Sequence, residues 1–291
     1  ITGFVMNPRL PQFEDIRVRD AMIHAFNFEF INDAMTGGAQ PRITSYFSNS
    51  PLAMQDGPAT GRVLEFLQPF ANDIPADAIS GYELPISDGS ERNRDNISAA
   101  LDLMAQAGYS VQDGVMANAD GDAFTFEMLL SSGSSENQSM VDMYVQSLSR
   151  LGITPTITVV DGAQYSERTD VYDFGMTYYR RGLSLSPGNE QYLYWGIDGA
   201  DVTGGRNMMG VKSEAIDAMI NLLLTSASQD DFLAATQGLD RLLTSGRYVI
   251  PIYQWNISRI AHDKNLHYPD TMPIFGDWPG WQPDVWWYAQ D

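Results

Sequence analysis

Between Phe124 and Tyr179 the chain repeatedly switches its hydrophobic period between two and 3.6. Phe124, Phe126, Met128 and Leu130 alternate with Thr125, Glu127 and Leu129, which is the spacing of a strand. Val141, Tyr144, Val145 and Leu148 then recur at helical spacing until Gly152 stops them. Ile153, Ile157 and Val159 alternate with threonines as a second strand, and a short helix near Gln164 leads to a third, Tyr172 to Tyr179. A strand, a crossover helix and a strand give parallel pairing with a right-handed connection. The expectation is an α/β chain with βαβ units, whose strands end along one shared edge.

The flanking sequence adds elements without changing that frame. Phe4 to Asn7 reads as a short strand stopped by Pro8 and Pro11, and Asp15 opens a helix with Val18, Met22 and Ala25 on one face and Arg17 and Arg19 on others. A helix from about Phe28 to Met35 stops at Gly37-Gly38. Residues 39–92 are irregular, with helical character only at Gly61 to Pro69, and so long a loop carries function or wraps a neighbour. Ile97, Leu101 and Met104 form a stripe that ends at Gly108. Two late helices run from about Ser213 to Thr225 and from Gln229 to Ser245. Tyr248 to Trp255 and Ile257 to Ala261 read as strands, and the Pro-rich tail from residue 265 has no period.

Composition excludes several functions. Across 291 residues, 37 acidic side chains against 17 basic ones leave a net charge of −20, which repels phosphate backbones and anionic lipid. Nucleic acid is therefore not an expected partner. There is no cysteine, which removes disulfides, thiolate metal sites and cysteine nucleophiles. The three histidines, His24, His262 and His267, lack metal-ligand spacing, and phosphate-cradle and nucleophile-elbow motifs are absent. His24 reads as a structural helix residue, and Asp230-Asp231 as the acidic first turn of a helix. The expectation is a protein that is no enzyme and uses no cofactor. The opening Ile1-Thr2-Gly3-Phe4-Val5-Met6 reads as the middle of a strand, so a longer protein with its own export signal is expected.

Phe4-Val5-Met6-Asn7-Pro8, then Pro11-Gln12-Phe13-Glu14-Asp15-Ile16-Arg17-Val18-Arg19-Asp20-Ala21 and Ala25-Phe26-Asn27, resemble a signature of the bacterial extracellular solute-binding proteins, family 5. Gln12 stands where that family usually has proline, and Asn27 where it has aspartate. Ser45-Tyr46-Phe47-Ser48-Asn49-Ser50, Ser87-Asp88-Gly89-Ser90 and Ser186-Pro187-Gly188-Asn189-Glu190-Gln191, followed by Trp195, are similar to its YejA-like subgroup, which takes oligopeptides and microcin C. Gly205-Arg206-Asn207, Ala215 to Ile220 and Leu239 to Leu243 fit the same family.

The resemblance implies a type II periplasmic-binding-protein lobe with a mixed sheet. Residues 1–14 would be a hinge strand, 15–246 the second, ligand-binding lobe, and 247–291 a crossover returning to the first lobe. It implies a monomer that binds oligopeptides in the periplasm and delivers them to ABC-transporter permease subunits in the inner membrane. Two other readings stay open: an acidic secreted hydrolase, and the same scaffold holding a nickel complex, haem or a sugar.

Ligands of open α/β sheets lie beyond the carboxyl ends of the strands. That places Arg180 and Arg181 at a ligand, followed by a loop through Ser186, Asn189 and Glu190. The guanidinium fork suits carboxylates and carbonyls. In the peptide-binding branches this loop carries an aspartate for the peptide's amino terminus. Here Ser184, Leu185 and Ser186 stand in its place, which leaves Glu190 as a substitute. Of five tryptophans near the end, Trp255, Trp278, Trp281, Trp286 and Trp287, Trp255 is the expected ligand contact and the others pack against the first lobe.

Overall fold

Alternating side chains within single strands divide the interior into two layers. In the first strand Phe4 and Met6 enter one hydrophobic cluster and Val5 the other, and Met128 and Leu130 are likewise opposed to Leu129. Strands buried on both faces read as continuous apolar runs, which is why this sheet needs helices on either side.

The computed structural model describes residues 1–254, 260–272 and 285–289. Along the chain come β1 (Thr2–Met6), α1 (Pro11–Glu14), α2 (Ile16–Ala25), α3 (Phe28–Thr36), α4 (Gly61–Leu67), α5 (Asp77–Ser80) and α6 (Arg94–Gln106). Then follow β2 (Ser110–Gln112), β3 (Val115–Ala117), β4 (Glu127–Ser131), α7 (Ser135–Ser149), β5 (Thr156–Val160), α8 (Gly162–Asp170) and β6 (Met176–Arg180). The remainder is α9 (Glu190–Trp195), α10 (Glu214–Thr225), α11 (Gln229–Ser245), β7 (Val249–Pro251), β8 (Leu266–His267) and β9 (Trp287–Tyr288). No helix among the described residues is long and apolar enough to cross a membrane.

The main sheet has five strands in the order β5-β4-β6-β1-β7. β4 runs parallel to β5 and β6, whereas β1 runs antiparallel to β6 and β7, so the fold is α/β with a mixed sheet. The helix boundaries follow from local chemistry. Asp15, Asp161, Ser213 and Ser228 each accept a backbone N–H in the first turn of α2, α8, α10 and α11, and Gly37 closes α3 at φ 67°.

Several expectations change. Phe124 and Phe126 do not open the β4 ladder, which starts at Glu127; both rings pack edge-on against Phe13 instead. The hairpin β2–β3 was not anticipated. Arg19 is buried, not on an outer face: it donates to the carbonyls of Phe13, Glu14 and Gly246, with its guanidinium over the Tyr248 ring. The long irregular stretch also contains α5, and it is fastened down. The buried Asp240 carboxylate accepts from Ser45 Oγ and from the N–H groups of Tyr46, Phe47 and Met54, while Arg241 donates to the carbonyls of Gln55, Gly57 and Ala78.

The chain divides into two units, 1–254 and 255–291, and the first takes in β1 and β7 together with everything between them. In the second unit β8 pairs antiparallel with β9, and the rings of His262, Tyr268 and Trp286 meet at 4.6–5.6 Å. Trp255, Trp278, Trp281 and most of the expected strand at 257–261 lie outside the described residues.

Candidate ligand site at the carboxyl end of the sheet

The carboxyl ends of β4, β5 and β6 share one edge of the sheet, and there the sheet forks. β4 and β6 pair only at Met128–Met176 and Leu129–Thr177, while Leu130 and Ser131 stay paired with β5. Tyr165 from α8 braces the base of the fork, with its hydroxyl 2.8 Å from Thr177 Oγ1 and 3.1 Å from the Tyr178 carbonyl oxygen.

Above that brace the main chain of β6 opens toward the fork. The N–H of Arg181 donates to the Ile1 carbonyl on the β1 side, and the Tyr178 carbonyl faces Tyr165 on the β4 side. Backbone groups alternate along a strand, so the N–H and C=O of Arg180 point to the fork. Neither has a hydrogen-bond partner among the described residues.

The side chains at this edge are polar and incompletely paired. Arg180 is exposed, and its guanidinium makes no hydrogen bond or ion pair among the described residues. Beside it, burial raises the pKa of Tyr178, Arg180 pulls it down and Glu136 pushes it up, so both charges act on one hydroxyl. Glu136 lies in the first turn of α7 and accepts a hydrogen bond from the Tyr253 hydroxyl, which follows β7. Arg180 and Glu136 form no ion pair with each other.

Arg181 turns the other way. Its guanidinium lies 4.2 Å above the Tyr194 ring and 5.9 Å from that of Tyr179. Seven buried side-chain polar atoms among the described residues have no hydrogen-bond partner, and four of them gather in two neighbouring segments: Tyr179 Oη, Arg181 Nε, Gln191 Oε1 and Trp195 Nε1. Native interiors pair almost all such atoms, so this concentration sets the region apart from the rest of the core. Burial raises the Tyr179 pKa, and the nearby Arg181 and Trp195 side chains offset part of that rise without reaching hydrogen-bond geometry with its hydroxyl.

The loop beyond β6 is placed differently from expectation. The N–H of Ser186 donates to Ser184 Oγ at 2.9 Å, and the exposed Asn189 precedes α9 without capping it through its side chain. Glu190 is engaged locally, accepting from the Gly188 N–H at 2.9 Å and Gln191 Nε2 at 3.1 Å. Burial pushes its pKa up, but these donors outweigh that and hold the carboxyl below its ordinary value. None of Ser186, Asn189 and Glu190 makes a hydrogen bond or ion pair with either arginine. The structure thus groups Arg180 with Tyr178, Glu136 and Tyr253, and Arg181 separately with Tyr179, Tyr194 and Trp195, none of which the sequence reading selected as site residues. The edge rule applied to the loop after β4, and not only to the loop after β6, would have reached Glu136. Among the described residues no group of three His, Cys, Asp or Glu side chains could hold a metal ion.

The family model for bacterial extracellular solute-binding proteins, family 5 Middle, matches residues 1–202. The chain belongs to family 5. A binding protein of Brucella melitensis is 38% identical over 99% of this chain and 46% of its own length. YejA of Agrobacterium fabrum, named a probable peptide-binding protein, is 37% identical over 98% of this chain and 46% of its length. The chain therefore spans about half the length of the curated relatives it matches. The oligopeptide-binding protein AppA of Bacillus subtilis, solved in complex with a nonapeptide, superposes with a TM-score of 0.68 at 17% identity, covering 99% of this chain and 50% of that one. That likeness gives the family 5 fold, the type II periplasmic-binding-protein architecture expected from the sequence.

Proposed function

We propose that this family 5 protein binds oligopeptides at the forked edge of its sheet, in the periplasm, and delivers them to the permease of an ABC importer. One observation carries the reading. Arg180 offers an unpaired main-chain N–H and C=O and an unpaired guanidinium at the same point, in a protein of net charge −20. An extended peptide supplies complementary groups for all three: main-chain carbonyl and N–H along its length and a carboxylate at its end. Arg181, half-buried with its guanidinium over the Tyr194 ring, adds a further donor next to this point. The names of the relatives support the same ligand class. Binding, without turnover, is the activity proposed.

The domain division is part of this proposal. Residues 1–14 and the segment from 247 are read as the hinge region, with 15–246 as the second lobe and the remainder returning to a first lobe that closes over the ligand. Native mass spectrometry of the complete protein, purified without refolding, tests the ligand class. Peptide masses released on denaturation, and their loss in Arg180→Ala/Arg181→Ala, are expected. Copurification of a sugar, haem or metal chelate instead would overturn the peptide reading.

A further inference from the structure

We infer that Glu136, held by Tyr253, receives the amino group of the ligand, and that the site selects ligands carrying an ammonium beside an acceptor-rich chain. This rests on the peptide reading above. A carboxylate is a strong acceptor for a peptide's ammonium, and Glu190, the expected candidate, already has its Oε1 engaged by Gly188 and Gln191. Glu136 offers a carboxylate from another element. Three segments converge at this corner of the sheet: β6 delivers Arg180, the turn after β4 delivers Glu136, and the end of β7 delivers Tyr253.

The separation of the two charges is informative. Both Arg180 and Glu136 act on the Tyr178 hydroxyl, yet they form no ion pair. Tyr253 fixes Oε1 of Glu136, and Oε2 has no hydrogen-bond partner among the described residues. A carboxylate and a guanidinium flanking one tyrosine, each with unfilled hydrogen-bonding capacity, match a zwitterionic or dipolar segment laid between them. Burial first, and then its hydrogen bond to Glu136, raises the Tyr253 pKa, so the phenol stays protonated and donating at neutral pH. That hydrogen bond fixes the orientation of the Glu136 carboxylate.

The test uses the complete protein and two probes: a mixture of unmodified tri- to pentapeptides, and the same mixture N-acetylated, with binding read by native mass spectrometry and by calorimetry on the tightest binders. Glu136→Gln is expected to weaken the unmodified peptides roughly ten- to hundred-fold and to leave the acetylated ones within about two-fold. Tyr253→Phe, which keeps the charge but frees it, is expected to reduce the preference for unmodified peptide by a few-fold at unchanged melting temperature. If both mixtures bind and Glu136→Gln alters neither, the Glu136 assignment fails while the peptide reading stands. If neither mixture binds the parent protein, the peptide reading fails and the assignment with it.

Discussion

The two ends of the main sheet use the same side chain in opposite ways. At the end where β6 begins, Arg9 donates to the carbonyls of Ala200, Asn207 and Met208 and to Asn7 Oδ1, with its guanidinium 3.6 Å over the Tyr172 ring. Asn7 donates to the carbonyls of Tyr172 and Phe174, and Asn207 to those of Gly196 and Val211. Arg168 there pairs with Glu127 and Asp173. At the end where β6 finishes, Arg180 and Arg181 have no such partners. A guanidinium surrounded by loop carbonyls fastens the loops; a guanidinium left unpaired is available to something else. One end is fastened by its arginine; the other is the end at which we propose that the ligand docks.

That contrast breaks most visibly at Arg9. Arg9→Met would strand carbonyls of three loop residues, and a loss of about 2–4 kcal/mol in urea unfolding is expected, with ligand affinity unchanged while the protein is folded. A parent-like urea midpoint would mean that this end is not fastened by its arginine. Arg180→Ala should do the reverse. Its unfolding free energy should stay within about 0.5 kcal/mol of the parent, while peptide affinity measured by calorimetry falls roughly ten- to thirty-fold, or about 1.4–2 kcal/mol. Equal affinity with lower stability would exchange the roles of the two ends.

A smaller effect separates the ends by pH. Hydrogen bonds from Arg168 hold the Glu127 pKa below 4.5, against a partial rise from burial. A carboxyl with a depressed folded pKa stabilises the protein above its unfolded pKa, and that contribution disappears as the pH falls through the folded value. Glu127→Gln should therefore narrow the difference in urea midpoint between pH 7 and pH 3, by about 1 kcal/mol or less. An unchanged difference would remove this pair from the fastening. Salt gives the smallest contrast. Raising sodium chloride tenfold should weaken peptide binding by a few-fold through screening of the exposed Arg180 guanidinium, and barely move unfolding. Salt-independent affinity would argue against charge recognition at the open end.

The sequence made the fastened parts more legible than the open ones. Helices α2, α10 and α11 could be read because their apolar stripes coincide with caps at Asp15, Ser213 and Ser228, all local signals. The strands β4, β5 and β6 could be read because crossovers of that length force parallel order. β1 could be read as a strand, but its antiparallel place between β6 and β7 could not, because pairing across most of the chain leaves no periodic trace. Arg180 and Arg181 were singled out by their position after a strand. Glu136 was not, because a glutamate in the first turn of a helix looks like dipole chemistry, and its hold by Tyr253 depends on a contact 117 residues distant. Glu190 was singled out from the loop, and its hydrogen-bond partners, Gly188 and Gln191, are its own neighbours.

The place of β1 bears on how the chain reaches this state. Phe4, Val5 and Met6 are fully buried in an interior strand of the sheet, where Val5 pairs with Thr177 on one side and Val249 on the other. During synthesis these residues precede β6 and β7 and wait for both before the two edges of the strand are covered. Closing loops of that length comes before any reward from the contacts they make, which slows folding. Completion of the sheet is thus tied to its last strand in sequence: a nascent chain that stops short of Val249 keeps one edge of β1 unpaired.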